Sequence, residues 1–494
     1  MRRYVSAALV VALAALVVHE VDVYALRIYF YDYEARVHPQ ETVDKVVASE
    51  PAGCKRLRGP IGAEDAVVFD GDIILMGELD AAVHEFTNLK DHGADASTAP
   101  SGKIWAMDRL QADKPRLTAL VAPLPEGVTK MHTHGLALKA GVLYAANHAF
   151  AGGGERVERW RVTRRSDNDD GPPVVLTHLG AITASAEDQE SGAPAWTFSE
   201  KLNGAINGIT PDGDRNQPAG DDGGIFLTQF LEGPAHMAGK GSGEATPPEE
   251  ALAAKLRGAA DALGVRPDMT SVLFRRLYKT RIWHCVGGGG VCHAVGPPST
   301  AWNGIEFKPA AAAAAAMAGS AAGGEPSTDS SPRGQLYAND IFRRMTVEFD
   351  VFGTGVATRL VQRRTFRHRV CVDNLRLDSS GEVLWVGAVA HTRTNLQQGI
   401  NALKANATRA HAAARAAHAP TPRPHTLLRP GADQPPQPPM LGGLLRINLT
   451  TGVVSEEIMQ ATHMASISWG LRVPEQGGRL FMGSPWDDGV LMCP

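Results

Sequence analysis

Short runs of aliphatic, aromatic and β-branched residues recur along the chain, each entered through a glycine and each ending in small or polar residues. They are GKIWAMD at 102–108, GVLYAANH at 141–148, GIFLTQ at 224–229, GQLYAND at 334–340, GEVLWVG at 381–387 and GRLFMG at 478–483. Runs of this length behind a glycine predict β-strands entered through turns. Ahead of most of them lies a second run that opens on polar residues: His134-Gly135, Asn207-Gly208, Asn303-Gly304, Asp373-Asn374, and the serines at 466 and 468. Glu64-Asp65, ahead of VVF at 67–69 and IILM at 73–76, opens one more. A strand–turn–strand unit repeated at the spacing of blades rather than of solenoid turns predicts a radial array. The expected fold is all-β, a six-bladed β-propeller.

The spacing varies because loops are inserted. Residues 167–173 (DNDDGPP) resemble part of a calcium loop without its downstream glutamate, and read as a polar loop. Residues 247–264 place Leu252, Leu256 and Leu263 on one helical face. Two low-complexity insertions follow, near 308–333 (an alanine run, then Gly, Ser and Pro) and near 395–440 (Ala-rich, then Pro-rich). The propeller is expected to fill residues 27–494 as a single unit around these helical and disordered insertions.

The start differs from the rest. Met1-Arg2-Arg3 followed by an apolar run from Val5 to Val18 is the pattern of a secretory signal, so residues 1–26 read as a signal peptide or signal anchor. With no clear small-x-small cleavage site before the charged break, retention as an anchor is an option that would put the propeller on the extracytoplasmic side, secreted or held at a membrane surface. In that setting the five cysteines suggest two disulfides and one free thiol. Cys285 and Cys292 would close a small loop, Cys54 and Cys493 would tie the two ends of the ring, and Cys371 is left over. Asn406 and Asn448 head acceptor sequons for glycosylation. A net charge of −4 over 494 residues gives no reason to expect a nucleic-acid partner.

In a propeller the innermost strands line a central channel, so residues that open equivalent strands converge on one axis. Here these are Glu64, His134, Asn207, Asn303, Asp373 and Asn374. Carboxylates and amides without thiolates suit a hard cation such as Ca²⁺, which takes six to eight oxygens. Taken singly, an Asn-Gly pair reads as a turn; it is the recurrence at matching positions that points to a metal site. His132 and His134 alternate and would also suit zinc on one side of a strand. His148 ends the strand after His134, and a hairpin makes the two neighbours.

With these residues in place, the chain resembles the serum paraoxonase and arylesterase family. The resemblance runs from Cys54 to Cys493 and skips the insertions. It is carried by Cys54, GAED at 62–65, SGKIWAMD at 101–108, HGL at 134–136, Asn147-His148, NGI at 303–305, VDNL at 372–375 with LWVG at 384–387, and LMC at 491–493. It implies a catalytic calcium held by Glu64, Asn207, Asn303, Asp373 and Asn374, His134 as general base with His148 as its partner, and Cys54–Cys493 as the closing disulfide. The family's second, structural calcium would use Asp65 and the backbone of Leu136, but Gly208 stands where the family has an aspartate. Ala388 replaces a free cysteine of the family.

The implied activity is calcium-dependent hydrolysis of lactones and aryl esters, a small-molecule substrate being attacked by water that the histidine dyad activates. No Gly-x-Ser-x-Gly elbow for a serine nucleophile is present. Two alternatives remain: a gluconolactonase- or regucalcin-like propeller enzyme that does not rely on the histidine pair, and a non-catalytic calcium-binding platform.

Overall fold

The computed structural model describes residues 53–78, 101–149, 154–166, 171–183, 198, 206–213, 224–230, 280–286, 291–299, 301–310, 331–341, 343–368, 370–390, 442–460, 467–473, 478–485 and 488–494. The N-terminal segment 1–26, the helix expected at 247–264, Asn406 and most of the insertions at 308–333 and 395–440 lie outside them. Contacts divide the chain into a small unit, 1–44 with 242–279, which lies wholly outside the described residues, and a large one, 45–241 with 280–494, to which all that follows refers.

The described residues form six four-stranded antiparallel sheets. One strand, β1 (Lys55–Ile61), joins the last of them. The first sheet is β2 (Ala63–Phe69), β3 (Ile73–Glu78), β4 (Ile104–Asp108) and β5 (Arg116–Leu120). The second is β6 (Thr133–Lys139), β7 (Val142–Ala149), β8 (Gly154–Arg164) and β9 (Val174–Ile182), and the third β10 (Ile206–Pro211), β11 (Ile225–Gln229), β12 (Ile282–Val286) and β13 (Val291–Ala294). The fourth is β14 (Trp302–Pro309), β15 (Gly334–Asp340), β16 (Met345–Phe352) and β17 (Arg359–Arg367), and the fifth β18 (Cys371–Leu377), β19 (Val383–Ala390), β20 (Gly442–Asn448) and β21 (Val454–Gln460). The sixth is β22 (Trp469–Val473), β23 (Arg479–Gly483) and β24 (Asp488–Cys493), with β1 as its outer strand. The first strands β2, β6, β10, β14, β18 and β22 touch in that cyclic order, β22 returning to β2, so the fold is a six-bladed β-propeller.

Five of the six glycine-headed runs are second strands of their blades. The exception is GKIWAMD at 102–108, which forms β4, the third strand of the first blade; IILM at 73–76 lies in the second. Gly102 is needed there for a different reason, since a side chain would collide with the carbonyls of Glu78 and Met131. The β6–β7 turn does use the glycine for its backbone: Ala140 and Gly141 are both left-handed, at φ 47° and 72°, which lets two residues reverse the chain.

Apolar side chains meet between blades rather than in one central core. Leu75 and Ile104 of the first blade pack with Leu143 and Trp160 of the second; Phe226 of the third stacks on Phe307 of the fourth, ring centres 5.8 Å apart. Burying such contacts between every pair of neighbours leaves the axis free for polar residues.

The ring is closed twice over, by the β1–β24 pairing and by a Cys54–Cys493 disulfide. Cys285–Cys292 links β12 to β13, and Cys371 is a buried free thiol. Two disulfides indicate an oxidising, extracytoplasmic environment. Among the described residues no helix is long and apolar enough to cross a membrane. Asn448 ends β20 at a partly exposed turn, where its side chain accepts the Thr451 N–H at 2.8 Å.

Candidate functional site

Five inner strands carry the same irregularity at the same place. The antiparallel register slips between Ala63 and Asp65, Thr133 and Leu136, Ile206 and Ile209, Trp302 and Ile305, and Val372 and Leu375. Each slip is a bulge on the residues that open the strand, and a bulge re-aims a side chain that regular pleating would bury in the blade. The Asn-Gly and His-Gly pairs are therefore not turns. Their glycines allow close approach: a Cβ on Gly135 would collide with the backbone of Asn207, on Gly208 with that of Asn303, and on Gly304 with that of Asp373 and Asn374. The second, third and fourth blades thus each press their bulge onto the next one's site residue.

The outcome is a buried polar cluster at one end of the channel. Glu64, His134, Asn207, Asn303, Asp373 and Asn374 are all at least nine-tenths buried. The Asn374 amide donates to the Glu64 carbonyl at 2.8 Å, which leaves its oxygen unpartnered; Oδ1 of Asn207, Oδ1 of Asn303 and Oε2 of Glu64 are also buried without a partner. Four orphaned oxygens in one cluster are far from the native norm and call for a cation or water. Burial, then repulsion from Asp65, pushes the Glu64 carboxyl well up; burial, then Glu64, does the same to Asp373. Both carboxyls are raised because burial and repulsion from neighbouring carboxylates penalise their charged forms. Among the described residues no group of three or more His, Cys, Asp or Glu side chains is arranged to hold a metal ion. The donors here are mostly amides, which disfavours zinc and suits a hard cation with oxygen ligands.

The dyad adjoins this cluster. Nδ1 of His134 lies 2.8 Å from Nε2 of His148, the rings nearly perpendicular, while Nε2 of His134 lies 3.0 Å from Oε1 of Glu64 and 2.9 Å from Nδ2 of Asn207. Burial lowers the basicity of both imidazoles, that of His148 strongly. His132 precedes β6, so alternation along a strand does not apply to it; its carbonyl accepts the His148 N–H at 3.0 Å.

Asp65 and Leu136, one level further along the channel, do not share this deficit. Asp65 Oδ1 accepts the Ala66 N–H at 2.9 Å and Oδ2 the Leu136 N–H at 2.7 Å, and the Arg376 guanidinium forms an ion pair with Oδ2. Arg376 also donates to the carbonyls of Leu136 at 2.8 Å and Ala66 at 2.8 Å. The groups implied for a second calcium hold an internal cation instead, and with Gly208 contributing no side chain they do not fit a metal. Burial still raises the Asp65 carboxyl, with Arg376 opposing it. Beyond Arg376 and Glu306 the channel widens into a cavity of 530 Å³ bordered by Phe69, Leu138, Ile209 and Pro211, at the opposite end from the dyad.

Two residues of consequence escaped the sequence reading. Arg376 sits two positions after Asn374, where the signal was a second charged residue inside a buried inner strand. Glu155, directly across from His148 in the β7–β8 pairing, was hidden in a charged run whose register could not be read.

No protein-family model matches the sequence, and no curated protein matches it. Solved structures similar to it include the β-propeller domain of Cps50 (Swd1) from Myceliophteria thermophila, at 10% identity over 89% of this chain and 97% of that one, TM-score 0.36. A functionally unknown protein from Desulfotomaculum acetoxidans shares 7% identity over 87% and 88%, TM-score 0.33. A putative oxidoreductase (glucose dehydrogenase) from Thermus thermophilus shares 11% over 68% and 94%, TM-score 0.28. Likenesses this distant carry no inference about chemistry. The blades and the channel themselves define the class: a six-bladed propeller with an oxygen-rich axial cluster and an adjoining histidine dyad.

Proposed function

We propose that the protein is a calcium-dependent hydrolase of lactones and aryl esters. The observation that carries the reading is the meeting of four unpartnered buried oxygens with a hydrogen-bonded histidine pair. Glu64, Asn207, Asn303, Asp373 and Asn374 would hold the ion. When bound, calcium supplies Lewis-acid stabilisation for the negative charge that develops on a carbonyl oxygen.

The remaining work falls to the protein's own groups. His134 holds its Nε2 toward the axial cluster, where it takes the proton of the attacking water. His148, hydrogen-bonded through Nε2 to His134 Nδ1, shares the charge of the protonated dyad. Burial keeps both rings neutral beforehand, so the base is ready near neutral pH. No covalent intermediate on a side chain is required. In the cell the propeller would act on the extracytoplasmic side, secreted or anchored through the N-terminal segment.

The test is hydrolysis of a panel of γ- and δ-lactones and phenyl acetate by the purified protein, with calcium and then with excess chelator. Turnover that chelation abolishes supports the reading and sets the substrate class. Tight calcium binding without turnover of any panel member would overturn it in favour of a binding platform.

A further inference from the structure

The dyad does not end at His148. Nδ1 of His148 faces the carboxylate of Glu155 on β8, 2.9 Å from Oε1 and 2.8 Å from Oε2, with His148 0% and Glu155 1% exposed. Oε1 also accepts the N–H of Ile206 at 3.2 Å, so Glu155 is pinned from the neighbouring blade by the residue next to Asn207. An ionised carboxylate can only accept, which fixes the proton of His148 on Nδ1. In a neutral ring Nε2 is then the acceptor, and it faces Nδ1 of His134, which must donate. With the proton of His134 placed on Nδ1 in this way, its Nε2 accepts from Nδ2 of Asn207 at 2.9 Å, and Oε1 of Glu64, 3.0 Å away, must carry the proton of that contact or turn to a cation; an ionised Glu64 with no cation beside it would demand the opposite tautomer.

We propose that Glu155 is a positioning residue of the dyad: through two successive hydrogen bonds it selects the His134 tautomer that can accept a proton at the axial oxygens. Its catalytic consequence rests on the hydrolase reading; the tautomer does not. When His134 takes a proton from water, the positive charge shared with His148 faces the Glu155 carboxylate, and the hydroxide equivalent is left at the carbonyl. An orienting carboxylate behind a histidine is worth up to about 10⁴ in kcat elsewhere.

Glu155→Gln tests this with little change in shape. The Ile206 N–H retains the amide oxygen, the amide NH₂ turns to His148 Nδ1, and both histidines are driven to the opposite tautomer. Histidine ¹⁵N spectra, assigned with His134→Gln and His148→Gln, are expected to show Nδ1 protonated on both rings in the unaltered protein and Nε2 protonated in Glu155→Gln. In step, kcat is expected to fall at least about 100-fold with KM changed less than about 3-fold, while Glu155→Asp, which keeps an acceptor, recovers much of kcat. Protonation on Nε2 in the unaltered protein overturns the inference even if the variant fails to fold. So does a Glu155→Gln protein with unchanged tautomers. A protein that hydrolyses nothing on the panel still gives its ¹⁵N shifts, so failure of the hydrolase reading and failure of this one are told apart.

Discussion

Two neighbouring levels of the same channel handle buried charge in opposite ways. At the upper level two carboxylates and three amides converge with four oxygens unpartnered, and burial drives the carboxyls of Glu64 and Asp373 well up. At the lower level Asp65 has two backbone N–H donors and the Arg376 guanidinium, which ties β18 to both β2 and β6. The lower level brings its own cation and holds blades together. The upper one leaves its coordination open, which is what binding a metal and a substrate requires. Buried oxygens left unpartnered next to a satisfied neighbour are the kind of local exception that marks a candidate functional site.

The largest effect should come from the upper level's base. His134→Gln is expected to lower hydrolysis by about 10²–10⁴ while calcium still binds, as steady-state kinetics and calorimetry would show. Retained activity would favour a gluconolactonase-like mechanism that does without the pair.

The lower level should break differently. Arg376→Met strands Asp65 as an uncompensated buried charge and is expected to cost about 3–5 kcal/mol in a urea titration. The mirror experiment sharpens the contrast: Asp373→Asn, which removes charge from the level that lacks a cation, should stabilise the chelator-treated protein. A loss of stability in both variants would erase the distinction between the levels.

Calcium itself gives the next effect. At 100 times its Kd it is expected to stabilise the protein by about 2.7 kcal/mol, read as a rise in the unfolding midpoint, and Asp373→Asn should abolish that rise.

The smallest effect comes from an off-axis carboxylate treated like Asp65. Asp212 is largely covered, which alone would raise its carboxyl, yet a 2.7 Å hydrogen bond from His284 and an ion pair with Arg333 bring it to about 2. Because the folded value lies below the unfolded one, the stability this group contributes is present above about pH 4 and lost as pH falls toward 2, roughly 2 kcal/mol in all. Acid unfolding of Asp212→Asn should lack that limb.

The propeller was legible in the sequence because each blade repeats the same turn-and-strand chemistry, and repetition needs no knowledge of what packs on what. Reading the glycine of GKIWAMD as a turn misfired for a local reason: Gly102 serves close packing against Glu78 and Met131. The axial residues were legible because they open equivalent strands. What could not be read was anything depending on register across a hairpin or between blades. Glu155 acts because it stands opposite His148, and Arg376 because a bulge at Asp373-Asn374 brings the next turn of β18 beneath Asp65. Neither pairing leaves a trace in spacing. The bulges themselves were also hidden, so Asn207-Gly208 and Asn303-Gly304 looked, one at a time, like turns.

The most direct test of the whole is lactone turnover followed against bound calcium as the ion is returned to chelator-stripped protein. Turnover absent without the ion, rising with occupancy and complete at one calcium per chain is the expected result. Turnover that persists in the stripped protein, or that waits for a second ion, would contradict it.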